Sequence, residues 1–186
     1  MGAFFISDLH LDHKRVISPE FSGEFRQGTT LEEHNQWLED RWNAVVTKRD
    51  HVYVLGDVAF SRTSLKIYDR LKGSKSLILG NHDKYDISEY AEHFDKILPS
   101  LCKLYRQFWI SHAPIHPDEL RGFPCVHGHV HTHSIQDHGV PDRRYYNVCV
   151  EPVEGTPVPL ETIRKWINRL PISMRDRAST KGLSTK

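Results

Sequence analysis

Short apolar runs recur along the chain, and several of them end in residues that carry acid–base or ligand chemistry. Ala3-Phe4-Phe5-Ile6 runs into Ser7-Asp8-Leu9-His10, and His51-Val52-Tyr53-Val54-Leu55 runs into Gly56-Asp57. Ser76-Leu77-Ile78-Leu79 leads to Gly80-Asn81-His82-Asp83. Further on, Phe108-Trp109-Ile110 leads to Ser111-His112, and Cys125-Val126 to His127-Gly128-His129-Val130-His131. Unbroken apolar runs of this length suit strands buried on both faces. Between them lie helical patterns. Thr30 followed by Glu33 is a capping-box signature, after which Leu31, Leu38, Trp42 and Val45 share one helical face. A second helix is expected over Thr63 to Lys72, stopped by Gly73, and a third from Ser88 to about Phe94. Ile163, Trp166, Ile167 and Leu170 predict a last helix that ends at Pro171. Strands alternating with helices imply an α/β layered fold.

The chain has 186 residues, which suits one domain, expected over residues 1–171, with a polar, aperiodic and disordered tail over 172–186. The net charge of +1 argues against strong duplex nucleic-acid binding. No apolar run approaches membrane-spanning length, and the N-terminus lacks the basic leader of a signal peptide. Cys102, Cys125 and Cys149 stand far apart outside any Cys-x-x-Cys pattern, so they read as free thiols and small core residues in a reducing, cytoplasmic setting. Histidine is the anomaly: there are 13, and seven fall between His112 and His138.

Ligands of layered α/β folds gather at the carboxyl ends of strands. Here five strand ends carry Asp, His or Asn. In His129-Val130-His131, two imidazoles two residues apart can point to one side of an extended segment. Each pair alone is a common turn, and their co-occurrence changes the odds. The order Asp-x-His, Gly-Asp, Gly-Asn-His-Asp, His, Gly-His-x-His resembles the calcineurin-like metallophosphoesterase family from Ala3 to about Val150, and most of all its small single-domain bacterial and phage branch.

That resemblance implies a sandwich of two mixed β-sheets flanked by helices and a dinuclear metal centre. It assigns Asp8, His10, Asp57 and His131 to one ion and Asp57, Asn81, His112 and His129 to the other, with Asp57 bridging. It makes His82 the group that protonates the leaving oxygen or stabilises phosphoryl charge, and Asp83 a partner that orients the His82 ring. A metal-bridging hydroxide would attack the phosphate ester. The residue chemistry agrees: hard oxygens and imidazoles without thiolate suit Mn2+, with Fe or Zn as alternatives, in an open catalytic site. Two divalent ions against two carboxylates leave a charge near +2 that favours an anionic phosphoryl group.

The remaining residues divide less sharply. His13, Lys14 and Arg15 could meet a substrate phosphate or form a solvated basic turn, and His127 and His133 could line the pocket once Gly128 bends the chain. His34, His51 and His93 are expected to be structural, and Trp37, Trp42 and Trp109 to be core. Phosphatase relatives place arginines after Gly-Asp and before Gly-Asn-His to grip a monoester dianion. Here Val58-Ala59-Phe60 and Leu77-Ile78-Leu79 occupy those places. A phosphodiester or small nucleotide is therefore the expected substrate, and a phosphomonoesterase, with Arg62 or Lys14 as the clamp, is the alternative. A metal-binding interaction scaffold without turnover and a DNA-repair nuclease are the other readings. Oligomeric state is left open.

Overall fold

The computed structural model describes residues 1–21, 24–104 and 107–171. The expected tail over 172–186 lies outside them. In chain order the strands are β1 (Ala3–Ile6), β2 (His51–Val54), β3 (Ser74–Ile78), β4 (Lys96–Leu98), β5 (Leu101–Leu104), β6 (Phe108–Ser111), β7 (Cys125–His127), β8 (Gln136–Asp137), β9 (Val140–Pro141), β10 (Tyr145–Asn147) and β11 (Val158–Pro159). The helices are α1 (Leu31–Val45), α2 (Arg62–Leu65), α3 (Ile87–Ala91) and α4 (Leu160–Asn168), with 3-10 turns at Lys14–Ile17, Lys66–Asp69 and Pro117–Leu120.

Two mixed sheets, flanked by helices, make the centre. One has the order β11-β1-β2-β3-β4 and the other β10-β7-β6-β5, with β8 and β9 forming a separate hairpin. Strands β1 to β4 are parallel and β11 is antiparallel to β1. Strands β10, β7 and β6 are parallel, with β5 antiparallel to β6. Alternation along β1 to β3 explains their unbroken apolar text. Ile6, Val52, Val54 and Leu77 pack with Leu38 and Trp42 of α1 on one face. Phe5 and Ile78 pack on the other with Phe108, Ile110, Val126 and Ile163, between the sheets and under α4. Both faces are dry, as a parallel sheet requires.

The capping box forms as expected: Thr30 accepts the Glu33 N–H, and the Glu33 carboxylate accepts the Thr30 N–H. Such a cap is worth about 1 kcal/mol. The helix expected over residues 63–72 instead divides into α2 and a 3-10 turn. Leu65, Tyr68 and Leu71, all buried, are spaced by threes, the period of a 3-10 turn rather than of an α-helix. The third helix starts earlier, capped by Asp86 and Glu89, and ends at Ala91. No helix among the described residues is long and apolar enough to cross a membrane.

The two sheets are stitched together where β1 and β10 end. Ser7 donates its N–H to Val148 O at 2.9 Å and accepts that of Val150 at 3.1 Å. Within each sheet the parallel strands deliver their carboxyl ends to one edge. Every motif singled out in the sequence follows one of those ends.

Candidate metal centre

The loops that follow the strands are held in an unusual backbone conformation. Asp8 (φ 60°), His10 (φ 49°), Asp57 (φ 54°), His129 (φ 72°) and His131 (φ 50°) all lie in the left-handed region. That region costs a non-glycine residue about 1–2 kcal/mol, least for Asp, Asn and His. The surrounding backbone holds it in place: Asp8 N–H donates to Gly56 O and His10 N–H to Asp57 O, each at 3.0 Å, and Gly128 N–H to His112 O at 2.8 Å. Strain accumulated at five of seven expected ligands marks a functional site. Two glycines make the close approach possible. A Cβ at Gly128 would overlap Ser7 Oγ and Asp8 Oδ2, and one at Gly56 (φ +93°) would stand 2.7 Å from His112 Nδ1.

The side chains converge in two groups. Asp8, His10 and His131 offer ligand atoms within 4.8 Å of one another, and so do Asp8, Asp57 and His112. Asp57 faces both ways, with Oδ2 3.5 Å from His10 Nε2 and Oδ1 3.6 Å from His112 Nε2. Asn81 Oδ1 is 2.9 Å and His129 Nδ1 3.2 Å from His112 Nε2. All seven expected ligands are thus brought together.

The His-x-His segment is bent, as expected, but the bend falls just after Gly128. β7 ends at His127, and left-handed turns at His129 and His131 send the two rings to different groups. The reversal comes from these histidines and not from a bend at Gly128, whose role is close approach to Asp8. His127 is buried, donates Nδ1–H to Gly128 O at 2.8 Å, and packs edge-on against Tyr145. Its burial lowers its pKa from the usual imidazole value. His133 is exposed, with Nδ1 donating to Val130 O.

Asp83 has a different task from the one expected. Its Oδ2 accepts N–H from Asp57 at 2.8 Å and Gly80 at 2.7 Å, and its Oδ1 accepts N–H from Val58 at 2.9 Å. It therefore pins the two glycine turns to each other, and its carboxylate bonds go to backbone rather than to the His82 ring. Burial raises its pKa, against those three bonds. His82 is exposed. Its N–H donates to Asp57 Oδ1 at 2.9 Å and its ring stands 5.6 Å from that of His10.

Two buried residues absent from the sequence reading complete the centre. Glu151 Oε1 accepts His131 Nδ1–H at 2.9 Å, and Arg26 Nε–H at 2.8 Å. Arg26 also donates to the carbonyls of Asp8 at 2.7 Å and Leu9 at 2.9 Å, clamping the strained turn from behind. Burial would raise the Glu151 carboxyl, but the His131 bond and the Arg26 charge outweigh it and leave the pKa at about 2. The only signal for Glu151 is its place as the acid that closes the run Val148-Cys149-Val150, and Arg26 sits in a polar loop with no signal. Cys149 donates Sγ–H to Asp8 Oδ2 at 3.2 Å, a polar task added to its core position. Cys102, Cys125 and Cys149 are all free thiols.

The other histidines and tryptophans are placed away from the two groups. His34 lies against Arg26, His51 bonds Ser74 and Ser76, and His93 bonds Asp69. Trp37 and Trp42 join the α1 core, and Trp109 donates Nε1–H to Leu120 O. Arg62 pairs with Glu89 and lies over the Tyr85 ring. Lys14 and Arg15 are exposed, with Arg15 over the Phe21 ring, while His13 stacks on Phe60 at 3.9 Å.

The donor set fits divalent cations. His112 gives Nδ1–H to Leu55 O at 2.7 Å, so its Nε2 presents a lone pair to the Asn81 oxygen. His131, donating to Glu151, likewise turns a bare Nε2 toward Asp8 Oδ1 at 3.9 Å. Asp8 Oδ1 and both ring nitrogens of His10 are buried with no hydrogen-bond partner. Such convergent acceptors repel one another unless a cation lies among them, and histidine ligands held by a carboxylate or a carbonyl are the usual second layer of a metal site.

Comparison with known proteins points the same way. The profile described as calcineurin-like phosphoesterase matches residues 1–176. The uncharacterized protein MJ1445 of Methanocaldococcus jannaschii is 32% identical over 174 residues, 89% of this chain and 91% of its own. The gene 66 protein of Mycobacterium phage L5 is 41% identical over 89 residues, 44% of this chain and 40% of its own. Among solved structures, a protein of unknown function from Aquifex aeolicus superposes with a TM-score of 0.68 at 25% identity, covering 88% of this chain and 98% of that one.

Proposed function

Because the chain belongs to the calcineurin-like phosphoesterase family, whose members are metal-dependent hydrolases, we propose that it is a dinuclear phosphodiesterase acting on small nucleotide-like esters. The observation that carries this reading is the convergence of Asp8, His10, Asp57, His112 and His131 on one another, with Asp8 Oδ1 and the His10 ring nitrogens buried and without a hydrogen-bond partner. Asp8, His10, Asp57 and His131 would hold one ion, and Asp57, Asn81, His112 and His129 the other, with Mn2+ the best match to this mix of carboxylate, amide and imidazole. When bound, the two ions supply Lewis acidity to the phosphoryl oxygen and lower the pKa of water.

The protein's own residues position and protonate. Arg26, Glu151 and Asp83 fix the strained turns, so that the ligands need not reorganise. His82, exposed beside Asn81, gives a proton to the departing ester oxygen. Water loses a proton to solvent, from which His82 is later reprotonated, and the resulting hydroxide forms the new P–O bond. The P–O bond to the leaving group breaks, its electron pair stays on the leaving oxygen, and the products are a phosphomonoester and an alcohol.

The diester reading is supported by the residue types that flank the two glycine turns. Val58, Ala59, Leu77 and Ile78 are buried and apolar where a monoester dianion would call for cations. Arg62 is committed to Glu89, and Arg26 to Glu151 and two carbonyls, which leaves the exposed Lys14 as the remaining clamp of the monoesterase alternative. Under one Mn2+ concentration, kcat/KM for an aryl phosphodiester should exceed that for the matching monoester. A monoester preference of about tenfold or more would overturn the diester assignment.

A further inference from the structure

We infer that two exposed phenylalanines, Phe60 and Phe21, bracket the metal centre as platforms for one aromatic group on each arm of the diester, so that the substrate class is a dinucleotide or an unpaired stretch of nucleic acid. The inference rests on the diesterase reading above.

Phe60 is 36% and Phe21 45% exposed. Isolated exposed rings are ordinary on a protein surface, but these two flank the centre itself. Phe60 lies 5.5 Å from the His10 ring, His10 lies 5.1 Å from His131, and His131 lies 5.2 Å from Phe21. The two phenylalanines thus stand beside different members of one stacked ligand pair. Both are braced. Phe60 is stacked on His13 with its plane tilted by 5°, and its N–H donates to Leu11 O at 2.8 Å. Phe21 carries the Arg15 guanidinium 5.8 Å from its centroid, and its N–H donates to Ser18 O at 3.1 Å. Rings fixed in this way lose little freedom on receiving a flat ligand.

Their chemical setting tells the two arms apart. His82, the proposed proton donor, is 5.4 Å from Phe60, which assigns the leaving-group arm to the Phe60 side. Phe21, on the His131 side, then takes the retained arm, with the exposed Arg15 over its ring adding positive charge at that edge. Every base offers a π-face, so such platforms select for unpaired bases without reading their sequence. Bases in a duplex are already stacked on their neighbours, and the net charge of +1 gives no duplex footprint.

The test uses two diesters with the same p-nitrophenolate leaving group: thymidine 5′-(p-nitrophenyl phosphate), with a base on the retained arm, and methyl p-nitrophenyl phosphate, without one. The wild type should favour the nucleoside ester by about 5- to 100-fold in kcat/KM, mostly through KM. Phe21→Leu keeps apolar cover without the ring. It should erase that preference by slowing the nucleoside ester much more than the methyl ester. Phe60→Leu should slow both esters by similar factors, and Phe60→Trp should restore them. Equal wild-type kcat/KM for the two esters, or equal losses on both in Phe21→Leu, would overturn the bracket and leave the diesterase reading standing. Hydrolysis of neither ester would remove the diesterase reading. The bracket is then judged by equilibrium binding of a dinucleoside methylenephosphonate to the Mn2+-loaded full chain. Binding weakened in both leucine variants supports it, and binding unchanged in both rejects it.

Discussion

The two halves of the proposed metal centre are built from different materials. On the Asp8–His10–His131 side, Asp8 and His10 are buried, and the bracing is ionic: Arg26 and Glu151, both buried, hold the His131 ring and the Asp8 carbonyl. On the Asp57–Asn81–His112–His129 side, Asp57 and His112 are buried but Asn81, His82 and His129 are exposed, and the bracing is to the main chain. There Leu55 O accepts from His112, and Asp83 gathers three backbone N–H groups. A buried ion pair fixes geometry at a desolvation cost that is tolerable only where water is already excluded. The open side must admit substrate, so its geometry is set by backbone that needs no such shelter. Rigidity and access are thus separated across a gap of a few ångströms.

Asp57 joins the halves, and its replacement should have the largest effect. Asp57→Asn keeps the shape but removes the charge from the only carboxylate among the described residues that faces both His10 and His112 at about 3.5 Å. Turnover should be abolished and both ions weakened, as read by elemental analysis of dialysed protein alongside the assay. Near-normal activity with a full metal complement would show that the halves do not share this residue.

The open side can be tested without disturbing the buried one. His82→Ala should retain both metals and the fold while kcat falls by about 10²–10⁴-fold. An activated leaving group such as nitrophenolate should suffer less than a ribose alkoxide, because it needs little protonation. Equal losses on both would make His82 a stabiliser of phosphoryl charge, and loss of one ion would make it a ligand.

The open side was also the more legible in sequence. Its ligands sit in short motifs directly after β2, β3, β6 and β7, whose apolar runs announce buried strands. Asp8 and His10 were legible after β1 for the same reason. The brace behind them was not, because Arg26 and Glu151 meet across 125 positions and neither periodicity nor spacing carries that contact. The same limit hid the short edge strands. Lys96–Leu98 and the two-residue arms Gln136–Asp137 and Val140–Pro141 are too brief to show a period. The left-handed turns at His129 and His131 were invisible for another reason. An alternating His-x-His text describes an extended segment equally well, and only packing against Asp8 and Glu151 chooses between them.

Removing Glu151 should have the smallest effect on turnover and the most selective effect on metal binding. Its carboxylate orients the His131 imidazole and balances Arg26, whose side chain is fully buried. Glu151→Gln preserves the volume and one acceptor oxygen, so His131 can keep its hydrogen bond while the charge is lost. Breaking one partner of a buried pair costs roughly 3–5 kcal/mol, which a melting curve of the metal-free protein should show as a lower Tm. Loss of a carboxylate behind a histidine ligand weakens metal affinity by about 10–100-fold. That loss should fall on the ion at Asp8, His10 and His131 and spare the ion at Asn81, His112 and His129, whose bracing is to the backbone. A two-step metal titration followed by calorimetry reads the asymmetry directly, and saturating Mn2+ should recover most of kcat. Equal weakening of both steps would mean that the halves are mechanically coupled through Asp57 and Asp8 and that the ionic brace serves the whole centre. No weakening of either step would show that Glu151 and Arg26 stabilise the fold alone.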